Sequence, residues 1–151
     1  MRRSFVCLFL GFVFLGCDKP KSLINEFDVD EAPRNTFTKL VTSISGKGFV
    51  VSSVDMAGMT LATNWKEIET DNLKKFALLS GDVLHYDKGR VRCSIAVTDR
   101  NGNAHIKIDA QVEGLFHGKQ AGTSGTGSSG WSAERSTGEF EKSLVKEVSG
   151  G

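Results

Sequence analysis

Val91-Arg92-Cys93-Ser94-Ile95-Ala96-Val97-Thr98, Asp99-Arg100-Asn101-Gly102-Asn103 and Ala104-His105-Ile106-Lys107-Ile108-Asp109-Ala110-Gln111-Val112 follow one another without a break. In the first run Val91, Cys93, Ile95 and Val97 alternate with Arg92, Ser94 and Thr98. In the third, Ile106, Ile108, Ala110 and Val112 alternate with His105, Lys107, Asp109 and Gln111. A period of two marks strands with one apolar and one wet face. Between them Asn101-Gly102 supplies a turn that accepts positive φ cheaply. This is a long hairpin in an antiparallel sheet covered on one side only.

The cover is found at the two ends of the chain. Phe37, Leu40, Val41 and Ile44 recur at i, i+3, i+4 and i+7, the stripe of a helix lying on something apolar. Asn35 or Thr36 is placed to cap it after Pro33, and Gly46 and Gly48 to stop it. Phe140, Leu144 and Val148 form a second stripe, with Ser136 and Glu139 spaced as a capping box. Phe49 to Val54 is β-branched and apolar, hence a strand. Met59 to Ile68 reads as another, with Leu61, Thr63 and Trp65 on one side. Glu67 to Lys75 is polar and reads as irregular. Phe76 to Tyr86 is open between strand and short helix, with Gly81 interrupting it. Apolar helix stripes and a one-sided sheet satisfy each other by stacking. The expected fold is α+β: a two-layer sandwich of about four antiparallel strands packed by an N-terminal and a C-terminal helix.

The N-terminus carries a different message. Met1-Arg2-Arg3 is basic, Phe5 to Leu15 is an apolar run of eleven residues, and Leu15-Gly16-Cys17 closes it. Eleven residues fall short of the ~20 needed to cross a bilayer core, and they suit a cleaved signal. Residues 18–34 then read as a tether: Asp18-Lys19-Pro20-Lys21-Ser22 is polar, and Asp28, Asp30 and Glu31 are acidic up to Pro33. As a flexible coil this stretch averages roughly 20–25 Å. Leu23-Ile24-Asn25-Glu26-Phe27 is its apolar exception, a segment suited to docking on the domain or on a partner. The expected organisation is 1–16 signal, 17–34 modified cysteine and tether, and 35–151 a single domain with a Gly/Ser-rich loop at 118–130.

Charge and cysteines exclude several classes. Loss of Arg2 and Arg3 with the signal leaves 17 basic against 18 acidic residues, so no basic surface marks a nucleic-acid binder. Cys7 lies in the signal and Cys17 at its end, which leaves Cys93 alone and no intrachain disulfide. Such a domain must rest on its core.

No residue set carries a specific chemistry. Gly125-Thr126-Gly127-Ser128-Ser129-Gly130 matches G-x-G-x-x-G in letters, but only one helix follows it, whereas a dinucleotide fold needs a second strand. Gly122-Thr123-Ser124-Gly125 has the wrong spacing for a nucleophile elbow. His85, His105 and His117 lack metal-ligand spacing. His105 belongs to the wet face and Cys93 to the apolar face, so they do not share a metal; Cys93 reads as a small buried hydrophobe. Asp28-Val29-Asp30-Glu31 lacks the glycine and closing glutamate of a calcium loop. Trp65 and Trp131 read as packing residues, Trp131 as a staple beside the loop or an interface residue. Arg90, Arg92 and Lys107 read as a solvated strand face.

Phe14-Leu15-Gly16-Cys17 resembles the lipobox of bacterial lipoproteins, with Phe14 where leucine is usual. The competing readings are an ordinary signal peptide with a chance cysteine and an uncleaved anchor. The resemblance implies cleavage after Gly16, lipidation of Cys17 with a diacylglycerol on its sulfur and an N-acyl chain on its amine, and a domain outside the cytoplasm on a cell membrane. Asp18 after the cysteine is, in enteric-type bacteria, a signal for the inner membrane. Gly48-Phe49-Val50-Val51 and Thr63-Asn64-Trp65 make the domain similar to the helix-grip domains of small envelope lipoproteins, such as an accessory lipoprotein of the outer-membrane β-barrel assembly machinery. That likeness implies no enzyme activity, no catalytic residue, no metal and no cofactor beyond the lipid. It implies a membrane contact through the anchor and another envelope protein as partner, met in the groove between the helices and the sheet edge. The alternative is a carrier of a lipid or other apolar small molecule between helices and sheet.

Overall fold

The computed structural model describes residues 25–82, 85–117 and 130–150. Its order is β1 (Glu26–Val29), α1 (Pro33–Gly46), β2 (Val51–Asp55), β3 (Thr60–Thr63), β4 (Lys66–Glu69), α2 (Thr70–Phe76), β5 (Ala77–Leu78), β6 (Tyr86–Arg100), β7 (Asn103–Phe116), β8 (Gly130–Ser136) and α3 (Glu139–Val148). The long hairpin is there, turning at Asn101 and Gly102, both at positive φ. All strand pairings are antiparallel, in the order β2-β3-β6-β7-β8-β5, with β4 also on β6 and β1 also on β7.

The class is mixed helix and antiparallel sheet, as expected, but among the described residues the sheet has eight strands rather than about four. The additional strands are short. They carry little alternation of their own: β1 and β8 pair along β7, β4 along β6, and β5 along β8. Residues 17–34 are not all tether: Glu26–Val29 pairs with Ala104–Lys107, and Val29 is buried in the core. Asp28 is held by His105 Nδ1 at 2.7 Å and lies 3.4 Å from Arg100. The acidic patch is thus partly neutralised by the hairpin it crosses. The domain begins before residue 35, and Leu23 and Ile24 lie outside the described residues. The helix starts at Pro33, earlier than Asn35 or Thr36, with proline in the first turn where its missing N–H costs nothing. Lys47 and Gly48, the latter at φ +76°, end it.

Residues 67–75 are regular. Lys66–Glu69 pairs with Lys88–Val91, and Thr70–Phe76 is a short helix that buries Leu73. Leu73 is seated over Gly89 and Gly114, which face each other across β6 and β7. A Cβ on Gly89 would lie 2.8 Å from Leu73 Cδ1, so the paired glycines form the hollow that receives this helix. The capping box is also different. Gly138 is the N-cap of α3, and Ser136 Oγ reaches Glu141 rather than Glu139, at 2.9 and 3.1 Å from its two carboxylate oxygens.

The three helices among the described residues lie against one sheet face. Phe37, Leu40 and Ile44 of α1 and Phe140, Leu144 and Val148 of α3 are buried with Val91, Cys93, Ile95 and Val97 of β6 and Ile106, Ile108 and Val112 of β7. No helix among the described residues is long and apolar enough to cross a membrane.

Glu141 is a carboxylate inside this layer, only 3% exposed. Burial pushes its pKa above the usual glutamate value, against a smaller opposing effect of the Ser136 hydrogen bond. The native state therefore holds this proton to higher pH than the unfolded chain does. The stability tied to it is fully present below the unfolded glutamate pKa and is lost as pH rises through the folded value. Glu141→Gln should remove this loss. Denaturant midpoints of variant and wild type, compared at pH 4 and pH 8, should shift in favour of the variant at the higher pH. A shift in favour of wild type would contradict the sign.

Candidate functional site on the open sheet face

The opposite face of the same strands is built from the polar half of the hairpin alternation. Arg90 and Arg92 of β6 stand opposite Glu113 and Gln111 of β7. Arg90 donates to one Glu113 oxygen, Oε2, through both Nε at 2.7 Å and Nη2 at 2.5 Å, a charge-assisted ion pair. Arg92 makes the neutral counterpart, Nε to Gln111 Oε1 at 2.8 Å.

Both tryptophans join this row. The Arg90 guanidinium carbon lies 4.2 Å from the Trp131 ring centre and 4.6 Å from that of Trp65. Arg92 lies 4.6 Å from Trp65. Lys88, paired with Glu67 at 2.7 Å, sits 6.0 Å from Trp131. The result is a ladder in which arginines meet indole rings, an arrangement worth roughly 0.5–2 kcal/mol per contact depending on desolvation.

The expectation that Trp65 shares a side with Leu61 and Thr63 is corrected. Ala62 is opposite Ser94, so an unbroken strand would set Trp65 opposite Val91, facing the core. Instead Lys66 is opposite Val91. One extra residue has entered at Asn64-Trp65, and a one-residue slip turns every later side chain to the other face. Lys66 now points inward, its ammonium bonded to the Lys47 carbonyl and 5.1 Å from the Phe49 ring centre. Trp65 points outward. Trp131 lies in β8, opposite Leu115, and is likewise on the outer face.

Beside the ladder is an open pocket of about 310 Å³, walled by Trp65, Arg92, Asn64, Ser94 and Asp109 among others. The third residue of the expected basic strip, Lys107, lies farther along β7 opposite Glu26 and outside this group. The groove expected between helices carries Thr38, Lys39, Thr42 and Glu147 and is bridged by Lys47–Glu147 at 2.7 Å.

The remaining candidates are placed as follows. Cys93 is 3% exposed on the core side, and burial lifts its thiol pKa to about 11, so it is not a thiolate at neutral pH. His105 is on the outer face with Asp28. His117 pairs with Asp87, and His85 meets Phe116 edge-on. Among the described residues no group of three or more His, Cys, Asp or Glu is arranged to hold a metal. Tyr86 donates to Glu134 at 2.7 Å, with its phenol pushed up mainly by burial, and Ser80 closes the same buried network. This network ties the segment after β5 to β8. Gly16, Cys17 and residues 118–129 of the glycine-rich loop lie outside the described residues; Gly130 opens β8.

Glu113 and Gln111 were the site residues that pattern reading passed over. Their signal was available: in a hairpin of known register, the partners of Arg90 and Arg92 follow by counting from Asn101-Gly102.

No family model matches this chain, and no curated protein does. Among solved structures it is similar to a DUF4468 family protein from Bacteroides ovatus, at 16% identity and a TM-score of 0.37. The match covers 60% of this chain and 53% of that one, so the chain spans about half the length of that structure.

Proposed function

We propose that this chain is a lipid-anchored envelope lipoprotein, lipidated on Cys17 after cleavage behind Gly16, whose domain is a non-enzymatic protein-interaction or assembly module outside the cytoplasm. Its partner is another envelope protein, and the docking surface is the open sheet face. The single observation that carries the choice of surface is the ladder of Arg90, Arg92, Trp65 and Trp131 on a face with no helix over it among the described residues. Trp and Arg dominate the residues that carry binding energy in protein interfaces, because they combine large area with directed polar groups. Cross-strand pairing holds them in place before binding, which lowers the ordering cost.

The carrier reading requires an apolar cavity between helices and sheet. Phe37, Leu40, Ile44, Ile106, Ile108 and Leu144 occupy that layer with 0% exposure, which favours the interaction reading.

In-cell photo-crosslinking from Ala133, an exposed neighbour of Trp131 on β8, tests the proposal. Wild type should give one dominant adduct with an envelope protein. Cys17→Ser should release the chain from the membrane fraction and abolish the adduct. Trp131→Ala should leave the fold and membrane attachment intact and weaken the adduct at least about tenfold, the scale of an interface anchor. An adduct indifferent to Trp131→Ala, or membrane attachment indifferent to Cys17→Ser, would count against the corresponding half of the reading.

A further inference from the structure

Two rungs of the ladder differ by one functional group. Arg90 faces Glu113, whose carboxylate takes two of its N–H groups. Arg92 faces Gln111, which takes only Nε and carries no charge. Among the described residues Arg92 has no carboxylate within ion-pair distance. Trp65 stacks against its guanidinium, so the side chain is oriented before any ligand arrives. Beside it lies the pocket walled by Trp65, Asn64, Ser94 and Asp109. Oδ1 of Asp109 accepts from the Asn25 amide at 2.9 Å.

We propose that Arg92 is a receptor for a carboxylate of the partner, so that an acidic peptide segment completes on this rung the ion pair that Glu113 makes on the next. The proposal rests on reading the open sheet face as the docking surface and names the chemistry that face selects. The planar fork of arginine matches a carboxylate with two parallel hydrogen bonds. Asp109, also in the pocket wall, repels a second anion, and its Oδ2, which Asn25 does not use, accepts from N–H groups. An extended peptide bearing one Asp or Glu offers both a carboxylate and backbone N–H donors. A phosphate would bring a larger charge against Asp109.

The test uses the full lipidated chain in detergent micelles and the Arg92 Nε–H resonance in nitrogen-resolved NMR. The probes are acetyl-Gly-Glu-Gly-amide, acetyl-Gly-Gln-Gly-amide and inorganic phosphate, each titrated separately. The glutamate peptide should shift the Arg92 resonance saturably, and the glutamine peptide should not. Gln111→Glu supplies the missing carboxylate from within, copying the Arg90–Glu113 rung, and should abolish the shift while the fold is retained. Arg92→Lys should bind at least about tenfold more weakly, since charge remains but the fork is lost. Equal response to both peptides, a stronger response to phosphate, or full binding by Gln111→Glu would overturn the assignment. These arms do not depend on the in-cell adduct. Loss of the adduct in Trp131→Ala with no effect of Gln111→Glu would keep the docking face and remove Arg92 from it.

Discussion

Phe37→Ala is expected to cost about 3–5 kcal/mol, a large part of the roughly 5–15 kcal/mol that holds a domain of this size together. Phe37 begins the apolar stripe of α1 and is 0% exposed, within the same core as Leu40, Ile44 and Leu144. Truncation removes the transfer energy of the ring and leaves a hole that a helix pinned by α3 and two strands cannot fill. Denaturant unfolding gives the measure: the midpoint should fall steeply with little change in slope. Val54→Ala, at a residue 49% exposed, should stay within about 0.5 kcal/mol. Similar midpoints for the two variants would mean that α1 does not anchor the core.

Gly114→Ala should cost about 2–3 kcal/mol for the opposite reason, too much matter rather than too little. A Cβ there would lie 2.4 and 2.5 Å from two Tyr86 ring carbons and 3.2 Å from Leu73 Cδ2. The Tyr86 ring has nowhere to go. Its hydroxyl is bound to Glu134, and Phe116 packs edge-on at 5.3 Å. The melting temperature should drop by about 8–15 °C. Gly46→Ala, where nothing lies within 4 Å, is the matched control and should not lower it. In Gly114→Ala combined with Tyr86→Ala the methyl has room, so the double variant should lose less than the two single losses together. Strict additivity would show that the clash is relieved elsewhere.

Both expected results depend on parts of the fold that were unequally legible. The Val91–Val112 alternation and the Asn101-Gly102 turn were enough to define the hairpin, its turn and its apolar face, because period two and positive φ are local properties. The stripes of Phe37-Leu40-Val41-Ile44 and Phe140-Leu144-Val148 were legible for the same reason. β1 and β8 were not, and β4 reads as one strand with β3 because the break at Asn64-Trp65 leaves no mark in the pattern. Glu26–Val29 and Lys66–Glu69 are four residues each, and Gly130–Ser136 has little apolar content; their strand conformation comes from backbone bonds to β6 and β7. Helix Thr70–Phe76 is too short to show a period, and it exists where two glycines leave room for Leu73.

The candidate site was half legible. Arg90 and Arg92 could be assigned to the wet face by alternation alone. The two tryptophans could not, because both look like core residues until the bulge at Asn64-Trp65 and the β7–β8 register are known. By itself the sequence determined the one-sided hairpin, the covering helices and the segment before Cys17 that makes export and lipidation the expectation, since hydrophobic period and local conformational preference act over a few residues. Only the tertiary structure decided which face Trp65 and Trp131 share with Arg90 and Arg92. A shift of one residue in register reverses the side on which a strand presents its side chains, and register is chosen by distant partners rather than by neighbours in the chain.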